Sequence, residues 1–324
     1  MIEKHQSKSP KIYGLEALNR RVPPTHFNKT KIENDLSLAL SGYRGEKSIS
    51  YYLSFLNPDK YSILHGLRLR DALNRYFQID FLLLSNFFHM IVEVKNLSGN
   101  LYLMQDPNQL VRTSNDNSKE YFQDPILQVR RQIVQLQSWM KKYNYPPRPI
   151  IYLIVFANSN AVIEIASDYV EAKETVIRAE ALPFKIEEIE ATYTIQNVQQ
   201  IDIKKLIHLL IKKNEPLYAN LLQTYEVRAD EVIKGVSCPN CSQIPMKRLN
   251  GTWYCPRCTT KSKEAYVASL RDFQLLFGPT INNSQFRSFL KIDSRSVATR
   301  LLKSLNLNHS GQQKNRKYML PPII

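Results

Sequence analysis

Glycine is scarce in this 324-residue chain, with nine residues, and neither G-x-G-x-x-G nor G-x-x-x-x-G-K-[ST] occurs. Nucleotide-dependent chemistry therefore has no support, because its phosphate loops need those glycines. Cysteine is scarcer still: four residues, all within 238–258, which leaves none for disulfides. That usage points to a reducing cytoplasm. No apolar run is long enough to span a bilayer and the N-terminus has no signal-peptide core, so no membrane partner is expected. Acidic residues are outnumbered, 29 Asp and Glu against 44 Lys and Arg, for a net charge of +15. A polyanionic partner follows, nucleic acid before membrane. Most of the excess is C-terminal: residues 234–324 hold 15 Lys and Arg against 3 Asp and Glu. The apolar fraction of 43% is that of a globular protein.

What is present centres on residues 77–84 and 90–96, two short apolar runs rich in β-formers with Ser85-Asn86 between them. They read as a β-hairpin. Asp80 and Glu93 are equidistant from the Asn86-Phe87 midpoint. A hairpin folded there sets them opposite each other, with Cβ atoms about 4.5–5.5 Å apart. Carboxylates that close repel unless a cation sits between them, and a divalent metal with oxygen ligands is the obvious one. Glu93 and Lys95 share a strand face. Lys95 is then available to hold a nucleophilic water or stabilise developing negative charge.

Asp80 followed by Glu93-Val94-Lys95 resembles the core of the PD-(D/E)xK nuclease superfamily. More closely, Gln78-Ile79-Asp80, Glu93-Val94-Lys95-Asn96, Ser98-Gly99 and Asp124-Pro125 followed by Gln128 resemble the nuclease-related domain, NERD, over residues 37–160. The resemblance implies a restriction-endonuclease-like α/β fold, a mixed sheet flanked by helices. It implies Mg²⁺ or Mn²⁺ held by Glu46, Asp80, Glu93 and the Val94 carbonyl, with Lys95 positioning water and Gln128 leaning over the site. Glu46 also stands out by pattern. Residues 31–56 read as helix, broken at Gly42 and Gly45, and Glu46 shares the inward stripe of Ile49 and Leu53. A carboxylate there needs a cation or a donor.

Residues 1–30 read as a loosely ordered lead-in. Residues 61–67 read as the first strand, with His65 a packed strand residue. Residues 101–104 and 110–113 read as a second hairpin. Asp124-Pro125 is a helix start, N-cap then first position, and Gln128 and Gln132 share a face of that helix. Residues 149–156 read as a central buried strand, 162–165 and 183–195 as edge strands, and 201–213 and 217–225 as helices closing this domain.

Cys238, Cys241, Cys255 and Cys258 form C-x2-C-x13-C-x2-C, the spacing of a tetrahedral structural Zn²⁺ site. The segment resembles the zinc ribbons at the ends of topoisomerases. Met246-Lys247-Arg248 and Trp253-Tyr254 form the hairpin between its knuckles, a basic and aromatic mix suited to nucleic acid. Helices at 265–277, 284–292 and 294–305 and a basic hairpin through Lys314, Arg316 and Lys317 resemble a winged helix-turn-helix. Its third helix turns Val297, Leu301, Leu302 and Leu305 inward and Arg295, Arg300 and Lys303 outward. The expected domains are thus 1–30, a nuclease-related domain at 31–226, a zinc ribbon at 227–262 and a helical winged-helix-like domain at 263–324. DNA is the expected partner, gripped by Lys247, Arg248, Arg295, Arg300, Lys303, Lys314, Arg316 and Lys317. The expected function is metal-dependent hydrolysis of DNA phosphodiesters. The alternative is a catalytically inactive DNA-binding or adaptor protein that keeps the fold as a scaffold.

Overall fold

The computed structural model describes residues 2–114, 116–193, 202–312 and 315–322. The chain forms two compact units, residues 1–7 with 40–216 and residues 8–39 with 217–324. The opening elements are divided between them: strand β1 (Ile2–Lys4), helix α1 (Pro10–Arg21) and helix α2 (Lys29–Leu53). The last half of α2 belongs to the first unit. Helix α2 runs unbroken through Gly42 and Gly45, correcting the expected break.

In the first unit follow β2 (Ser62–Arg70), β3 (Tyr76–Leu84), β4 (His89–Lys95), β5 (Gly99–Met104), β6 (Gln109–Thr113) and β7 (Lys119–Gln123). After helix α3 (Pro125–Lys142) come β8 (Ile150–Phe156), β9 (Ala161–Ile165), α4 (Val170–Thr175), β10 (Val176–Arg178), α5 (Leu182–Tyr193) and α6 (Ile203–Lys212). A mixed six-stranded sheet has the order β1-β2-β3-β4-β8-β10, and a second sheet the order β7-β6-β5-β9. The apolar run of β8 lies inside the main sheet, parallel to β4, and is reached by a crossover through α3.

The two faces of the main sheet bury separate cores. One holds Leu82, Ile91 and Ile154 with Ile126, Val129, Leu136 and Trp139 of α3. The other holds Phe81, Val92 and Val155 with Ile49 and Leu53 of α2 and Leu182 and Ile186 of α5. Each fully buried aliphatic side chain contributes roughly 1.5–3 kcal/mol. Three expectations are corrected here. Strand β1 precedes the expected first strand and pairs parallel to it. Residues 182–193 are helical, because Leu182 and Ile186 recur at helical spacing on the sheet; residues 194 and 195 lie outside the described residues. Residues 217–225 hold only a four-residue helix, α7 (Leu221–Thr224), and it belongs to the second unit.

The second unit continues with β11 (Lys247–Leu249), β12 (Thr252–Tyr254), β13 (Lys261–Ser262), α8 (Ala265–Phe277), β14 (Thr280–Asn282), α9 (Asn283–Leu290), α10 (Arg295–Ser304), β15 (His309–Ser310) and β16 (Lys317–Met319). Strands β11–β13 form one antiparallel sheet, and β14, β16 and β15 another in that order. The three expected tail helices are present. Ser294 caps α10 by accepting from Val297 N–H, and Asn282 and Gln285 form a capping box on α9.

The lead-in is not loosely ordered. Ser9 caps α1 and Leu15, Ala17 and Leu18 are fully buried. Arg21 is fully buried too, bonded to Asp272 at 2.7 Å and to the carbonyls of Ile233 and Gly235. The partners of Arg21 lie more than two hundred residues away, while the local signal is a helix start, Ser9 as N-cap and Pro10 at the first position. Leu15 and Leu18 share one continuous core with Cys238, Cys255, Trp253, Phe273, Phe286 and Leu302. Ribbon and tail are therefore one folding unit with α1.

Candidate active site and zinc centre

The hairpin register is the one its symmetry predicts. Phe81 pairs with Val92, Leu82 with Ile91 and Leu83 with Met90. The ladder ends at Phe81–Val92, one residue short of Asp80 and Glu93, and beyond it the Asp80 carboxylate accepts the Val94 N–H at 3.0 Å. Asp80 also sits at a bend. Leu64 and Leu67 enter the same core, as do Ile79 and Leu82, although strand residues three apart point to opposite faces. Both strands turn over between these positions, and Gly66, between them on β2, adopts φ +57°.

Glu93 is the hub on the α3 side. It is 3% exposed and takes three donors: Lys95 Nζ at 2.7 Å, Gln128 Nε2 at 2.6 Å and Gln132 Nε2 at 3.1 Å. Lys95 donates in turn to Gln128 Oε1 at 2.9 Å. The glutamines are aimed by the start of α3, where Asp124 accepts from Ile126 N–H at 2.7 Å and from Tyr169 Oη at 2.5 Å. On the α2 side, Glu46 Oε2 lies 2.9 Å from His65 Nε2. The Asp80 carboxyl is pushed well above the usual carboxylate range. Burial is the main cause, then the charges of Glu93 and Glu46, partly offset by Val94 N–H and Lys95.

Glu46, Asp80, Glu93, Lys95 and Gln128 thus converge, and Val94 meets them through its N–H. Residues 41–157 match the nuclease-related domain, NERD. All five side chains fall within the NERD match, which covers under half the chain. No curated protein and no solved structure matches the chain. Sequence reading passed over two side chains of this cluster. Gln132 carries a signal, since it lies one turn from Gln128. His65 carries none until the register of α2 is known.

Helix α2 approaches Asn96 at the end of β4 closely because residue 45 has no side chain. A Cβ there would stand 2.4 Å from Asn96 Cβ and 2.8 Å from Asn96 Cγ; at Gly42 it would meet nothing within 4 Å. Gly45→Ala is expected to lower stability by about 1–3 kcal/mol through overpacking. Gly42→Ala is expected to raise it by roughly 0.5–1 kcal/mol through helix propensity. Thermal midpoints of the two variants check both signs.

The second site is the cysteine cluster. The four thiol sulfurs lie within 4.8 Å of one another, with Cys238–Cys258 and Cys241–Cys255 both at 3.5 Å. Four sulfurs at 2.3 Å around one zinc would stand about 3.8 Å apart, so the set fits. The two knuckles close alike: Ser242 N–H bonds the Cys238 carbonyl and Thr259 N–H the Cys255 carbonyl, with φ of +57° and +59°. Among the described residues no other group of three or more Cys, His, Asp or Glu ligand atoms is so close. The carboxylates of Glu46, Asp80 and Glu93 stand further apart.

Arg295, Ser296, Thr299, Arg300 and Lys303 line one shallow depression on α10, while Ala298 and Leu302 are buried beneath. Lys247 and Lys317 are exposed and Arg316 is half-buried; Lys314 lies outside the described residues. Trp253 is buried, so it is no platform for bases; Arg248 stacks over it at 5.0 Å. The Arg248 guanidinium is shifted down by burial and by the charge of Arg300. Among the described residues, none of these tail cations has a carboxylate partner. In the first unit Arg70, Arg75, Arg112 and Arg130 pair with Glu215, Asp71, Glu120 and Glu171. No helix among the described residues is long and apolar enough to cross a membrane.

Proposed function

We propose that the protein is a metal-dependent nuclease that hydrolyses DNA phosphodiester bonds. The observation that carries this reading is Asp80, half-buried and acted on by the charges of Glu93 and Glu46 beside an ammonium, in a segment that matches NERD. Carboxylates in that arrangement suit a divalent cation, which would relieve their repulsion. Mg²⁺ or Mn²⁺, held by Glu46, Asp80, Glu93 and the Val94 carbonyl, would polarise the phosphate and supply an activated water. Lys95 holds a positive charge at the pocket and orients water with the ammonium proton left after its bonds to Glu93 and Gln128. Gln128 and Gln132 fix the Glu93 rotamer. Structural zinc in the four-thiolate shell would close its coordination and carry no chemistry. Thiolates need a reducing compartment, which suits the cytoplasm.

The second unit serves as the DNA grip. Its order of helix, strand, two helices and hairpin is that of a winged helix, with α10 as the groove-reading element and β15–β16 as the wing. Unpaired cations on that face suit phosphates. Supercoiled plasmid incubated with Mg²⁺ or Mn²⁺ is expected to be nicked, and EDTA to prevent it. Binding without metal-dependent nicking favours the scaffold alternative. Replacing Arg295, Arg300 and Lys303 by Ala together is expected to lower the slope of log K against log salt by roughly 2–3. An unchanged slope removes α10 from the interface.

A further inference from the structure

The α3 side of the pocket is explained by Lys95, Gln128 and Gln132. The α2 side holds a second set of contacts that lies partly outside the NERD match. His65 is 5% exposed, its ring edge-on to Phe81 with centroids 4.6 Å apart, and its Nε2 stands 2.9 Å from Glu46 Oε2, within ion-pair distance but off hydrogen-bond geometry. Lys4 of β1 donates from Nζ to the carbonyl oxygens of His65 at 2.6 Å and Gly66 at 3.1 Å. Those two carbonyls belong to the bend beside Asp80. A three-residue parallel edge strand contributes little pairing of its own, so a lysine on it that ties down two carbonyls of the neighbouring strand fixes that bend. The charge of Glu46 also acts on Lys4, whose ammonium is otherwise shifted down by burial.

We propose that His65 is a positioning residue for Glu46, and that Lys4, outside the family match, holds the bend from which His65 projects. The proposal rests on the reading of Glu46 as a metal ligand. A glutamate on a helix has several rotamers open to it, and only some present its carboxylate to Asp80 and Glu93. A fixed imidazole at one oxygen selects among them and leaves the other oxygen for the cation. Partners behind a metal ligand act in this way, and their loss weakens binding by about 10–100-fold.

The test is Mn²⁺ binding by calorimetry on the full, zinc-loaded chain, with thermal midpoints taken without Mn²⁺. His65→Gln brings an amide nitrogen to the place of Nε2, whereas His65→Asn stops short of it. The Gln variant is expected to bind within a few-fold of the parent and the Asn variant about 10–100-fold more weakly. Lys4→Met is expected to bind about tenfold more weakly. A packing role alone treats Gln and Asn alike and follows the thermal midpoint, so equal affinities for these variants and the parent overturn the proposal. If the parent itself takes up no Mn²⁺ beyond the zinc centre, the reading of the pocket falls first, and this inference with it.

Discussion

Stripping zinc from the protein is expected to unfold the whole second unit, not the ribbon alone, and to leave the nuclease-related unit folded. Cys238 and Cys255 are not confined to a satellite cluster. They belong to the same core as Leu15 and Leu18 of α1, Phe273 of α8 and Phe286 of α9. Structural zinc contributes apparent binding energies of about 10–16 kcal/mol in small thiolate sites. A unit of this size is stable by about 5–15 kcal/mol in all. Losing the metal therefore removes as much as the unit has, and the helices lose the floor on which they pack. The two cores of the main sheet contain none of these residues. Hydrogen exchange after chelation checks this directly. Protection is expected to vanish over residues 10–21, 236–260 and 265–304, and to persist over 62–95 and 126–140. Cys241→Ser should reproduce the pattern. Loss confined to residues 238–262 would make the ribbon a separate module and contradict the shared core.

That shared core also marks the limit of what the chain reveals before folding. The hairpin register was legible because Asp80 and Glu93 are local, fifteen residues apart or less, and symmetric about their turn. The three tail helices were legible from apolar spacing, and the zinc site from cysteine spacing alone. Each is a short-range signal. Helix α1 has a local start in Ser9-Pro10, but its burial was not legible, because it depends on residues such as Asp272 that arrive much later in the chain. The same holds for the contact of Gly45 with Asn96. Glycine in a helix reads as a break until a strand end is found occupying the space of its Cβ. Residues 182–193 failed for a different reason: a run of mixed apolar and acidic residues satisfies either period, and only the sheet face beneath selects the helix. In the candidate site, the members on the hairpin and at the capped start of α3 were legible. Lys4 was not, since a lysine in a polar N-terminal stretch is indistinguishable from a solvated one.

Asp80→Asn is expected to abolish cleavage and at the same time stabilise the metal-free protein. The cleavage loss should be roughly 10³-fold or more, about 4 kcal/mol of transition-state stabilisation, because a carboxylate at the centre of the proposed metal pocket is gone. Lys95→Ala should cost roughly 10²–10³-fold through the lost positive charge. The stability gain follows from the raised proton affinity of Asp80. In the unfolded chain an aspartate titrates near 3.9. In the folded, metal-free protein burial and the charges of Glu93 and Glu46 keep the proton on to higher pH. A group with its folded value raised contributes stability that is complete below about pH 4 and is lost as pH rises through the folded value. Above that, the parent holds a half-buried carboxylate repelled by Glu93 and Glu46. Asparagine keeps the acceptor for Val94 N–H and removes the charge. Denaturation at pH 8 without added Mg²⁺ or Mn²⁺, with the cysteine site kept zinc-loaded, should find the variant more stable by on the order of 1–2 kcal/mol, with the difference closing towards pH 4. Lys95→Ala, which leaves Glu93 buried without its cation, should move the other way. An Asp80→Asn protein that is less stable at pH 8, or that still nicks plasmid at the parental rate, would refute the view that these acids are held apart from water to meet a cation.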